Sequence, residues 1–125
     1  MTLATWLALS LGAAVGAPSR FLLDGAVQAR TSGIQPRGTL TVNAVGSLIL
    51  GLLTGLLTTG HVASIVGTLV GTGFCGALTT FSTFAFETVQ LLEEGAVVAA
   101  GKNVVVTTAV ALALAALGYT VVVAW

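Results

Sequence analysis

The chain has 125 residues, 56% of them apolar and only 6% charged, and its formal net charge is zero. Eight charges cannot solubilise a chain of mean hydropathy +1.07, four basic residues exclude a nucleic-acid binder, and a single cysteine excludes a disulfide framework or a Cys-based zinc site. What is left is an all-α integral membrane protein, a single transmembrane domain over residues 1–125, too small to hold a soluble enzyme as well.

The first apolar run predicts a helix over about 3–23, carrying one charge, Arg20, near its end. It lacks the positive leading region of a cleaved signal peptide and is read as a span. A loop over about 24–37 follows, with Asp24, Arg30, Gly33, Pro36 and Arg37. Residues 38–86 then contain no Asp, Glu, Lys or Arg. At about 20 residues per crossing this stretch is two spans. Thr58-Thr59-Gly60-His61 is the turn-like break between them. The predicted helices are about 38–59 and 62–92, and the uncharged run that closes the sequence predicts a fourth over about 98–123.

With four spans, both ends of the chain and the 58–62 turn share one side, which holds no Lys or Arg. The other side holds Arg30, Arg37, Lys102 and, at its edge, Arg20. This bias places the charged loops in the cytoplasm.

Gly12/Gly16, Gly51/Gly55 and Gly67/Gly71 are each G-x-x-x-G, a pattern that lets helix backbones approach closely in lipid. Gly71-Thr72-Gly73-Phe74-Cys75-Gly76 spells G-x-G-x-x-G, but no βαβ unit surrounds it, so it is not a dinucleotide site.

Polar groups in hydrocarbon are costly and usually face the bundle interior. On the second helix Thr39, Asn43, Ser47, Thr54 and Thr58 recur at steps of 4, 4, 7 and 4 and share one face. Either this stripe is interhelical glue or it lines a wet pathway. It contains no acid, and amide and hydroxyl donors suit an anion or a neutral solute better than a cation. On the third helix, glycines are followed by Thr79-Thr80-Phe81-Ser82-Thr83-Phe84, where helix propensity is poor, and a break near 76–80 is expected. Freed carbonyls in such a break are natural Na⁺ ligands. Phe81 and Phe84 share a face that Glu87 continues. Either they pack as ordinary apolar groups, or they turn their positive ring edges toward an anion.

Gly38-Thr39-Leu40-x-Val42-Asn43-x-x-Gly46-Ser47, followed by Gly76-x-x-Thr79-Thr80-Phe81-Ser82-Thr83-Phe84, resembles the CrcB/Fluc fluoride channels. The likeness extends over the whole chain in its length, its four spans and the Arg near the end of helix 1. It implies an antiparallel, dual-topology dimer in a prokaryotic cell membrane, with two pores that let F⁻ leave the cell passively. It also implies a central structural Na⁺, not transported, held by the backbone carbonyls of Gly76 and Thr79 from each chain. By the same resemblance Asn43, Phe81 and Phe84 match pore residues, with Ser82 and Thr83 between the rings and Thr80 on a polar track. Arg20 matches an arginine near an aqueous vestibule, and Glu87 an acid just after the phenylalanine pair. Thr39 and Ser47 are further donors able to replace the hydration shell of a small anion. Thr107 falls where a pore-facing Ser is usual, and Asn103 where the family has Tyr. Arg20 either concentrates anions or pairs with Asp24 four residues on.

The charge bias departs from what a dual-topology chain needs. It leaves two arrangements open: a homodimer, or a chain of fixed orientation paired with an oppositely facing paralogue. Two other classes fit the sequence less well. A proton-coupled multidrug exporter of similar size needs an acid in helix 1, and residues 1–23 hold none. A non-transporting assembly subunit does not account for the phenylalanine motif or the polar stripe.

Overall fold

A computed structural model describes residues 2–125, and every regular element in it is helical. Helix α1 runs Leu3–Gln28, opened by the Thr2 hydroxyl accepting the Thr5 N–H at 3.3 Å. It is longer than the expected 3–23, because nothing between Asp24 and Gln28 breaks a helix. The chain turns at Ala29–Arg30 and again at Gly33, whose φ of +106° suits glycine. Asp24 is therefore a helical residue rather than a loop residue. Helix α2 runs Arg37–Thr58, with Pro36 immediately before it, where a missing N–H removes nothing from the ladder. The following turn rests on Gly60, φ +76°.

The third span comes in two pieces. Helix α3, residues 64–78, contains a nine-residue π-helical stretch, Gly67–Cys75, flanked by short α-helical turns at Ser64–Val66 and Gly76–Leu78. Helix α4 is Phe81–Glu93. Between them Thr79 (φ −78°, ψ 159°) and Thr80 (φ −149°, ψ 124°) are extended. The expected break is therefore present, at its C-terminal edge. Helix α5 runs Val97–Val123 after a turn at Gly95.

All four spans are long and apolar enough to cross a membrane, and the molecule is a multi-pass membrane protein. Its outer surface is what lipid requires: Phe21, Leu22, Val98, Val105 and Leu112 are all at least 67% exposed. Two glycine crossings hold the bundle together. Where α1 meets the π-helical stretch, a Cβ on Gly12 would strike the Leu69 carbonyl, and one on Gly73 would lie 2.7 Å from the Leu9 carbonyl oxygen. Where α2 meets α5, a Cβ on Gly51 would strike Ala115 O, and one on Gly118 would come within 2.8 Å of Leu52 N. At both crossings backbone lies on backbone. Gly67 and Gly71 differ from the other two pairs, since they face the flexible ends of Leu57, Leu53 and Leu50 rather than backbone.

Candidate functional site: the helix break and its cleft

The break is held from the neighbouring helix. Asn43 Nδ2 donates to the Thr80 carbonyl at 3.0 Å, and the Thr80 N–H donates to Asn43 Oδ1 at 2.8 Å. A carboxamide has the same donor and acceptor spacing as a peptide unit, so Asn43 pairs with Thr80 as a strand neighbour would. Gly46, one turn further along α2, leaves the space into which the Thr79 methyl group fits.

The same exchange frees carbonyls. In an unbroken helix the Thr80 N–H would serve Gly76 O, and the Thr83 N–H would serve Thr79 O. Here the first goes to Asn43 and the second to the Thr80 hydroxyl, the N-cap of α4, at 3.2 Å. The Thr80 hydroxyl also donates to Thr83 Oγ1 at 3.0 Å and lies 3.3 Å from Ser82 Oγ. Thr79 O takes a hydrogen bond from Arg20 Nη1 at 3.3 Å. Arg20 thus turns toward the break, while Asp24 Oδ1 is buried without a partner. Of the two carbonyls, Gly76 O loses its helical N–H outright, while Thr79 O exchanges its own for the Arg20 guanidinium.

Beside the break lies an open-sided cleft of about 420 Å³. Asn43, Ser47, Thr79, Thr80, Phe81, Phe84 and Thr107 all line it, so seven of the residues singled out in the sequence come together. No acid or base lines the cleft. The Phe81 and Phe84 ring centroids are 5.7 Å apart and the rings are tilted by 49°. Phe81 is 78% exposed, so this chain supplies only one wall around it.

The remaining singled-out residues lie elsewhere. Thr39, 1% exposed, donates to Glu87 Oε1 at 2.8 Å, and Glu87 Oε2 is buried without a partner. Ser82 and Thr83 belong to the cap of α4. Gly76 is exposed on the outside of α3. The α2 stripe divides in two. Asn43 and Ser47 face the cleft, while the Thr54 and Thr58 hydroxyls bond back to Leu50 O and Gly55 O of their own helix.

Leu50, Thr108, Ala111 and Leu112 also line the cleft and were missed. The signals were present: Leu50 is three residues past Ser47, and Ala111 continues the Asn103, Thr107 step of four. Asn103, 4% exposed, is a junction. It donates to the Thr88 hydroxyl at 2.9 Å and accepts from Thr107 at 3.3 Å, and Thr88 in turn donates to Phe84 O at 2.7 Å. A chain of side-chain hydrogen bonds therefore ties α5 to the phenylalanine-bearing helix.

Comparison with known proteins adds the lineage. The family model described as CrcB-like protein, Camphor Resistance (CrcB) matches residues 7–119. Curated proteins named as fluoride-specific ion channels are similar over nearly their whole length. FluC 1 of Streptomyces avermitilis is 45% identical over 113 residues, 90% of this chain and 91% of that one. FluC 1 of Frankia casuarinae is 48% identical over 118 residues, with 90% and 92% covered. FluC of Pyrococcus abyssi is 44% identical over 120 residues, with 95% and 96% covered. A membrane bundle whose third span is broken beside an uncharged, amide- and hydroxyl-lined cleft, matched by the family model from its first helix to its last, is a member of the CrcB family.

Proposed function

We propose that this chain is a fluoride-specific channel, not an enzyme, through which F⁻ leaves the cell passively and cytoplasmic fluoride is kept low. The observation that carries the reading is the cleft itself: polar donors and two aromatic rings, without a single charge, inside an apolar bundle. Fluoride is small and holds its water tightly, so close hydrogen-bond donors must take over its hydration. Asn43 spends one Nδ2 hydrogen on Thr80 and keeps the second. Ser47 brings a hydroxyl, Thr107 brings a second that here donates to Asn103 and must turn to meet an anion, and the positive edges of Phe81 and Phe84 complete an anion-tolerant lining. A carboxylate would favour cations, and none is present there.

The structural Na⁺ belongs to the same reading. The Gly76 and Thr79 carbonyls, deprived of their helical N–H partners, are the residues that would hold it. One chain offers only two such oxygens, so a second chain would complete the set. The open side of the cleft at Phe81 also calls for a second chain as the facing wall. The assembly proposed is an antiparallel dimer with two pores. The partner is a second copy or an oppositely oriented paralogue. Ser82, Thr83 and Thr80 then shape the pore wall through the α4 cap. Arg20, Thr39 and Glu87 act beside the break rather than as pore donors.

The test is fluoride efflux from liposomes reconstituted with this chain alone, with chloride as control. Fast efflux of fluoride only, reduced at least tenfold in Asn43→Ala and Phe81→Ile, is the expected result. A well-folded wild-type chain that releases no fluoride, or that releases chloride equally, overturns self-sufficient fluoride conduction.

A further inference from the structure

The cleft has two neighbouring recesses at the charged end of the molecule, and they differ in sign. One, of about 240 Å³, is lined by Glu87 and Glu94 and shares no residue with the cleft. The other, of about 160 Å³, is lined by Arg37 and Lys102 and by no acid. Asn103 and Thr107, both buried, form its inner wall, and Thr107 lines the cleft as well. Two exposed cations therefore stand over a recess that shares one lining residue, Thr107, with the cleft.

Resting on the channel reading, we propose that this basic recess is the anion-collecting mouth on that side: F⁻ gathers between Arg37 and Lys102 and passes Thr107 into the cleft. Charge sign and the shared Thr107 both select it over the acidic recess, which repels anions and shares no residue with the cleft, although it adjoins the basic recess at Gln35 and Pro36. Cations at a rim, backed by low-dielectric walls, raise the local anion concentration and the rate of capture without changing what the interior accepts. Arg30 lies on the same side, contributes to the same overall charge bias, and lines neither recess.

The proposal is tested on the purified full-length chain in liposomes. Fluoride flux is measured for wild type, Arg37→Gln, Lys102→Gln, the double variant, Lys102→Arg and Arg30→Gln, at ionic strengths of about 10 mM and about 1 M, where the screening length falls from about 30 Å to about 3 Å. At low salt the double variant is expected to lose roughly tenfold in flux, within the range of electrostatic steering. Arg30→Gln should match wild type, Lys102→Arg, which keeps the charge, should recover most of the flux lost in Lys102→Gln, the deficit should vanish at high salt, and the preference for fluoride over chloride should be unchanged. A deficit that persists at high salt is structural and overturns the mouth, as does a low-salt deficit matched by Arg30→Gln. Wild-type conduction with no low-salt deficit overturns this proposal and leaves the channel reading standing. Wild type without fluoride flux overturns both. The substituted side chains are exposed, and a monodisperse elution profile of each variant excludes misfolding as the cause.

Discussion

At the residue scale the decisive contact is between Asn43 and the Thr80 peptide unit. Asn43→Asp keeps an acceptor for the Thr80 N–H but turns an oxygen toward the Thr80 carbonyl, where an N–H had been. Losing that pairing in a dry site costs about 1–3 kcal/mol, and the new charge repels an anion from the cleft. Asn43→Asp is therefore expected to stop fluoride flux in the liposome assay and to lower the unfolding temperature in detergent. Asn43→Gln, one methylene longer, should retain part of both. The sequence marked Asn43 as important by its place in a polar stripe. It gave no sign of the partner, because a backbone group 37 residues away has no signature of its own. The partner of Thr39 is hidden in the sequence for a related reason. Its hydroxyl shares the helical face of Asn43, and only packing shows that Glu87 takes it. Spacing along a helix places a side chain on a face, while the opposing helix decides which group it meets.

At the element scale the glycines explain which helices touch. Gly12→Leu would push a side chain into the Leu69 carbonyl, and no rotamer relieves a clash with backbone. The expected outcome is loss of monodisperse protein on size exclusion. Gly25→Ala, in the same helix but with open space around it, should be neutral or stabilise by up to about 1 kcal/mol. Thermal unfolding of the two variants side by side separates a packing glycine from an incidental one. Three of the four spans were legible from charge spacing to within about two residues at each end. The end of α1 was not, because Asp24 looks like the start of a loop whereas the groups after it continue the helix. The break was legible from clustered threonines and glycines. The π-helical stretch was not, since no residue pattern marks it; it lies where the glycine-lined crossing with α1 falls.

At the scale of the whole molecule the charge distribution has a clear polarity. Arg30, Arg37 and Lys102 gather where α1 ends and α2 and α5 begin, whereas the opposite end offers His61, Trp6 and Trp125. The orientation rule places the basic end in the cytoplasm. In intact cells, a membrane-impermeant thiol reagent should label His61→Cys and spare Ser32→Cys, both made in a Cys75→Ser background. Equal labelling at the two positions would mean that the chain inserts both ways, and a homodimer would then need no paralogue.

The pairing of Asn43 with Thr80 also constrains the order of assembly. During synthesis α2 reaches the membrane ahead of residue 80, and an isolated span in lipid keeps its backbone satisfied by remaining an uninterrupted helix. The third span must therefore insert straight and acquire its bend only when it docks against α2, trading intrahelical bonds for one carboxamide. The feature on which conduction is proposed to depend would then be among the last parts of the protein to mature. A chain arrested before docking would be correctly inserted, fully helical and silent.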